Sequence, residues 1–213
     1  MLRGVTTGQD TPGQCPFDLI GERYEQSFQD RAAQVAEGDW LIGTLPAGAR
    51  VLDVGCGSGV PTARQLSDAG LTVVGIDESA TMLRLAGSRV PAATFVRQDV
   101  RALGPELGEF DAAVSFFALL MLGRKEIPAV LRAIRARLRG PRLLSLAMVL
   151  GDFDLAPISF FDVPLHVTAY PADQLAAVVS DAGFEVTGLR QVRAKVAPGR
   201  TESQVYLRAV ATD

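Results

Sequence analysis

The sequence is poor in the residues that metal and disulfide chemistry need. It has two cysteines, Cys15 and Cys56, and one histidine, His166, in 213 residues. That usage gives neither a disulfide framework nor paired metal-ligand spacing, so no metal is expected. Reduced thiols are the default, and with them a cytoplasmic setting. No apolar stretch approaches the roughly 18 residues that span a bilayer, so no membrane partner is expected. The longest near-apolar run, Ala112 to Leu122, is interrupted by Ser115 and reads as a buried strand entering a loop. The opening MLRGVTTGQD lacks the apolar core of a secretory signal. A basic excess is also missing: 21 Lys and Arg stand against 24 Asp and Glu, a net charge of -3. A nucleic-acid partner is therefore disfavoured. Arg132, Arg135, Arg137, Arg139 and Arg142 read as the solvated face and last turn of a helix.

The length suits one domain with a substantial core. Residues 1–16, rich in Gly, Thr and Pro, read as a flexible arm. Residues 17–48 read as N-terminal helices, with Phe17, Ile20, Tyr24, Phe28, Ala32 and Val35 at helical spacing. Residues 49–213 read as an α/β core. Short apolar runs at 50–54, 72–76, 93–97, 110–116 and 143–150 alternate with helical stretches at 61–69, 79–87 and 125–138. That alternation predicts a doubly wound parallel sheet. Residues 151–171 read as an irregular aromatic loop, and 172–182 as a helix. Two runs, 184–196 and 203–211, are joined by Ala197-Pro198-Gly199 and predict an antiparallel hairpin at the sheet edge. The whole is a seven-stranded sheet in a single domain, 1–213, mostly parallel. Oligomeric state is open between monomer and homodimer.

The chemistry is concentrated in Val51-Leu52-Asp53-Val54-Gly55-Cys56-Gly57-Ser58-Gly59. A buried strand runs into a turn with glycine at every second position, and a helix begins at once. Such a turn lets backbone pass close under a ligand and aims helix N–H groups at it. The dinucleotide fingerprint would need a further glycine at 60 or 62, where Val60 and Thr62 stand. No Gly-Lys-Ser/Thr follows either, so the P-loop pattern fails. Asp77 closes the second strand, 18 residues after Gly59, where a carboxylate can accept two ribose hydroxyls. Asp99 closes the third strand, placed to accept from an exocyclic amine, with the backbone N–H of Val100 beside it.

VLDVGCGSG, followed by VVGIDESATML, FVRQDV and FDAAVSFFALLML, resembles the class I S-adenosylmethionine-dependent methyltransferase family over roughly residues 50–122. The resemblance implies S-adenosylmethionine as cofactor, a Rossmann-like methyltransferase fold and a small-molecule acceptor. It implies that Asp53, Gly55, Gly57 and Gly59 line the methionine part of the cofactor. Asp77 would bind the ribose, with Glu78 and Met82 near the adenosine. Asp99 and Val100 would meet the adenine, and Ser115 and Phe116 the sulfonium and substrate. Tyr24 is the aromatic expected to close over the cofactor. The turn before the fifth strand, Leu138-Arg139-Gly140-Pro141-Arg142, departs from the family's Pro-Gly-Gly order, which leaves the start of that strand open.

Cys56 reads as a small residue that fits the loop, since no base accompanies it. His166 lies in the aromatic loop and reads either as a general base or as a surface residue. Two rivals share parts of the pattern. A methyltransferase-fold cyclase or binding module keeps the same glycines and acids. A nicotinamide-dependent oxidoreductase conflicts with the glycine spacing.

Overall fold

The computed structural model describes residues 15–24, 30–197 and 200–213. The expected arm through residue 14, the helical position Phe28 and the Pro198-Gly199 link lie outside them. The described strands are β1 (Arg50–Val54), β2 (Thr72–Asp77), β3 (Thr94–Arg97), β4 (Phe110–Phe116), β5 (Leu138–Val149), β6 (Phe153–Phe160), β7 (Val163–Ala169), β8 (Phe184–Ala197) and β9 (Arg200–Ala211). The described helices are α1 (Pro16–Ile20), α2 (Ala32–Thr44), α3 (Thr62–Asp68), α4 (Ala80–Arg89), α5 (Ile127–Arg135) and α6 (Ala172–Asp181).

Seven strands form one sheet in the order β3-β2-β1-β4-β5-β9-β8. β1 to β5 pair in parallel, and β9 runs antiparallel between β5 and β8. The expected edge hairpin is this β8–β9 pair. Successive side chains of a strand take opposite faces of the sheet, as the period of two demands, and both faces are covered. In β1, Leu52 and Val54 face a core built with Leu131 and Ile134 of α5 and Leu175 of α6. Val51 faces the other layer, with Leu41 of α2 and Leu66 of α3. Each such leucine, fully buried, contributes about 1.5–3 kcal/mol.

Three readings are corrected here. Residues 151–171 are ordered: β6 and β7 pair antiparallel into a separate two-stranded ribbon. Val163, Leu165 and Val167 are buried along one face of β7, and Pro164 and His166 are exposed on the other. The connection, Phe161-Asp162, is two left-handed residues (φ 52° and 61°) with no glycine or asparagine to announce a turn. The helix expected to reach Leu138 stops at Arg135, and Leu138 instead pairs with Phe110 at the start of β5. The N-terminal helical pattern is interrupted at Gly21 (φ 51°), which ends α1.

Arg124 fixes the base of the ribbon. Its guanidinium donates to Asp152 Oδ1 and to the Ala169 carbonyl, both at 2.6 Å, and lies over the Tyr170 ring at 4.5 Å. The ribbon's other end packs on α1: Ile20, Val163 and Leu165 form a small apolar cluster with Phe17, Tyr24, Met121, Phe160 and Phe161 against it.

Candidate functional site

In the sheet order β2-β1-β4 the chain reverses direction of growth between β1 and β4. Ligands bind beyond the carboxyl ends of strands at such a switch point. A cavity of about 270 Å³ opens there, roofed by α1 and the ribbon. Its floor is the glycine loop. Gly55 approaches the segment after β4 so closely that a Cβ on it would fall 2.2 Å from the Ala118 Cβ. Gly57 has φ 52°, and a Cβ there would meet nothing within 4 Å, because it would project into open space. Glycine at 57 thus keeps backbone, and no side chain, against whatever occupies the cavity.

Asp77 holds this floor. Its Oδ2 accepts from the Gly57 N–H at 2.9 Å, and its Oδ1 accepts from the Ser79 N–H at 2.9 Å. Burial raises its pKa, against the pull of those two N–H donors. Ser79 caps α4, its Oγ accepting from the Met82 N–H at 3.1 Å. Asp18 of α1 reaches the same helix start, accepting from Ser79 Oγ at 2.6 Å and from the Thr81 N–H at 2.9 Å. Asp18 was not singled out in the sequence, since a carboxylate that caps a helix 61 residues away leaves no local signal.

Asp53 is 3% exposed, and its Oδ2 has no hydrogen-bond partner. Burial, and then the neighbouring Asp77 charge, push its pKa up to about 7. Burial and the Asp53 and Asp77 charges likewise hold the Cys56 thiol well above its ordinary pKa. It is a poor nucleophile there. At the rim, Arg101 donates to Asp99 at 2.8 Å, to Glu126 at 3.0 Å and to Glu78 at 3.3 Å. Burial tends to raise the Asp99 pKa, but the hydrogen bonds from Arg101 outweigh it and lower the net value. Glu78 is raised by burial and by Asp99.

Of the residues singled out in the sequence, Tyr24, Asp53, Gly55, Gly57, Asp77, Glu78, Met82, Asp99, Val100, Phe116 and His166 line the cavity. Gly59 and Ser115 are not among its lining residues. Gly59 turns toward Val90, Ala86 and Phe95. Ser115 is fully buried, donating to the Val54 carbonyl at 3.3 Å, on the opposite face of β4 from Phe116. His166 lies on the exposed face of β7. Lining residues the sequence reading passed over include Arg31, Gln34, Phe117 and Met121. Gln34 is buried, accepts from Arg31 at 3.2 Å and donates to Thr62 Oγ1 at 2.8 Å. Phe117 has φ 60°, rare for a bulky residue and a mark of functional loops. Among the described residues no group of three or more His, Cys, Asp and Glu could hold a metal ion. No described helix is long and apolar enough to cross a membrane.

A glycine floor at the switch point of a mostly parallel sheet, with acids closing the next two strands, defines a Rossmann-like nucleoside-binding fold. Residues 51–140 match the family described as a methyltransferase domain. Over 83 residues the chain is 46% identical to the trans-aconitate 2-methyltransferase of Paracidovorax citrulli, covering 38% of this chain and 32% of that protein. The chain thus matches about a third of that relative's length. Among solved structures, the DhpI–SAH complex superposes with a TM-score of 0.71 at 17% identity, over 92% of this chain and 93% of that one. The [4+2]-cyclase SpnF superposes at 0.69 with 20% identity, over 92% and 94%. Both are likenesses of fold. Residues 51–140 thus match a methyltransferase domain in sequence, and the fold around them is one that S-adenosylmethionine-dependent methyltransferases share.

Proposed function

We propose that the protein transfers a methyl group from S-adenosylmethionine to an O, N or C nucleophile of a small, apolar molecule. The observation that carries this is the cavity floor. A Cβ on Gly57 would project into it, Asp53 leaves a buried oxygen without a donor, and Asp77 stands beside both. A ligand with a cationic amino-acid end and a ribose diol fits that set. The Asp53 carboxylate would take the ammonium, Asp77 the ribose hydroxyls, and Asp99 with the Val100 N–H the adenine. Glu78 and Met82 would flank the adenosine, and Phe116 and Tyr24 the sulfonium side. When bound, S-adenosylmethionine supplies an electrophilic methyl group with its leaving group built in. The protein's part is then alignment, which can be worth about 7–11 kcal/mol, and no dedicated catalytic set is required.

The apolar wall of Phe17, Phe117, Met121 and Leu165 supports a small, apolar acceptor. With a net charge of -3, we read the partner as a small molecule and not a nucleic acid. We read the setting as cytoplasmic and the chain as a monomer or homodimer. A second reading, a cyclase or binding module that keeps the cofactor without methyl transfer, is favoured by the likeness to SpnF.

Calorimetric titration with S-adenosylmethionine, S-adenosylhomocysteine and NAD tests the first step. Saturable binding of the two sulfur compounds, and none of NAD, is expected. Failure of folded protein to bind either sulfur compound overturns the reading. Recovery of S-adenosylhomocysteine and a methylated product in equal amounts then separates transfer from cofactor retention.

A further inference from the structure

Among the described residues, two buried donors on the cavity wall lack an acceptor. They belong to Gln34 of α2 and Thr62 of α3, which are 8% and 6% exposed and both line the cavity. A guanidinium can only donate, so the 3.2 Å contact from Arg31 ends on the Gln34 carbonyl oxygen, Oε1. That contact fixes the amide, whose Nε2 donates to Thr62 Oγ1 at 2.8 Å. Thr62 Oγ1 is thereby an acceptor, and its own O–H is left to donate. No described residue takes that O–H, and none takes the second Gln34 N–H. Buried donors of this kind are costly unless a partner takes them.

Strand alternation puts these donors on the same side of the sheet as Asp53. Leu52 and Val54 face one layer, so Asp53 takes the other face of β1, with Val51. That is the layer of α2 and α3, whose Leu41, Ala63 and Leu66 pack with Val51. The acids Asp77, Glu78 and Asp99 stand instead at or just past the ends of β2 and β3. This side of the cavity therefore holds a buried acceptor without a donor, Asp53 Oδ2, and buried donors without an acceptor, on Gln34 and Thr62. A zwitterion satisfies both at once, its ammonium on Asp53 and its carboxylate on the two donors. Resting on the methyltransferase reading above, we infer that Gln34 and Thr62 seat the carboxylate of the cofactor's amino-acid end. They set specificity: the site accepts a nucleoside thioether that carries the whole amino-acid end and rejects one that lacks the carboxylate. Arg31 acts only through Gln34, by holding the amide oxygen. The Gln34–Thr62 bond also ties α2 to α3, so the test must separate binding from folding.

Calorimetry with three ligands tests this. They are S-adenosylhomocysteine; S-adenosyl-3-thiopropylamine, the same molecule without its carboxylate; and 5′-methylthioadenosine, which lacks the amino-acid end entirely. The native protein is expected to bind S-adenosylhomocysteine about tenfold or more tightly than the propylamine, the scale of a hydrogen bond to a charged group. Gln34→Leu should close that gap to less than threefold, and Thr62→Val should narrow it. Gln34→Glu, which sets a second carboxylate against the ligand's own, should reverse it. The affinity for 5′-methylthioadenosine should stay within twofold in all three variants, since the nucleoside half of the site is untouched. A native protein that binds S-adenosylhomocysteine and the propylamine alike overturns the inference. So does a gap that survives both Gln34→Leu and Thr62→Val, or an equal loss of all three ligands, either of which leaves the pair as a tie between helices. A native protein that binds none of the three defeats the methyltransferase reading instead, so the two failures are distinct.

Discussion

Glu37 and Asp53 are both buried carboxylates, 1% and 3% exposed, yet they are treated in opposite ways. Glu37, on α2, is saturated. Arg208 donates to it at 2.7 and 3.2 Å, Arg190 at 3.0 Å and Ser145 at 3.1 Å. Arg208 in turn stacks on Trp40 at 4.6 Å. That set ties α2 to the sheet through β5, β8 and β9, and leaves nothing for a ligand. Asp53 faces the cavity with an oxygen that no protein group satisfies. An orphaned buried carboxylate is costly, and a fold keeps one where a bound partner makes good the cost. The contrast separates a charge used for structure from a charge kept for binding.

The sharpest break of that contrast is Asp53→Asn, read against pH in the ligand-free protein. The Asp53 pKa is raised in the folded state, to about 7 from an ordinary 3.8. The folded form therefore holds its proton more tightly than the unfolded chain does. Asp53 contributes stability below about pH 4, and that contribution is lost as pH rises through 7. The full swing is about 4 kcal/mol at 1.36 kcal/mol per unit. Urea denaturation of the native protein between pH 4 and 8 should show this loss relative to Asp53→Asn, where this component is absent. Binding should run the other way. A cofactor ammonium needs the ionised carboxylate, so affinity for S-adenosylhomocysteine should fall by up to tenfold per unit below pH 7. Identical pH profiles for native protein and Asp53→Asn would show that Asp53 is not the group in question.

Glu37→Gln attacks the other member of the pair. Two guanidiniums lose their counter-charge, and breaking a buried ion pair costs about 3–5 kcal/mol. Side-chain exposures of 45% for Arg190 and 32% for Arg208 place the effect near 3 kcal/mol, since water screens what remains. The urea midpoint should drop accordingly, with S-adenosylhomocysteine affinity of the folded fraction changed less than threefold. A large loss of affinity with little loss of stability would reverse the assignment of roles.

Legibility in the sequence follows the same division. β1 and β4 are covered on both faces, so they appear as continuous apolar runs, and the glycine loop and the acids at 77 and 99 follow them at readable spacing. The ribbon was not legible. β6 is largely exposed, with Phe153, Leu155 and Ile158 outward, and its turn uses Phe161 and Asp162 where glycine or asparagine is usual. Spacing also does not tell which side of a strand a residue takes, as with Ser115 on β4, nor which way a loop glycine faces, as with Gly59. Arg31 and Gln34 escaped because helical periodicity marks only the apolar face of α2, and the partner of Gln34 is Thr62, 28 residues on at the start of α3. Glu37 escaped for the same reason, because its partners lie on strands more than 100 residues later.

A smaller effect is expected from Gly57→Ala. Its φ of 52° disfavours a side chain by about 1–2 kcal/mol, and the added methyl group enters open cavity space without striking a neighbour. Cofactor affinity should fall roughly tenfold, measured by calorimetry, with the melting temperature lowered by a few degrees. Unchanged affinity would mean that the cofactor does not pass over this residue.

The smallest effect is expected at His166. A general base contributes about 10²–10⁴-fold to rate, and it is held in hydrogen-bond reach of the proton it takes, commonly by a second group that fixes its orientation. His166 lines the cavity but sits on the exposed face of β7, opposite Pro157 of β6, and no carboxylate or carbonyl of the described residues orients its ring. An acceptor that is already a carboxylate has no proton to lose, so the imidazole then has none to take. His166→Gln should lower kcat by less than tenfold, and the kcat of a carboxylate acceptor less than that of a phenol. A loss of a hundredfold or more, with a matching shift in the acid limb of the pH–rate profile, would make His166 the base and place the acceptor proton beside the ribbon.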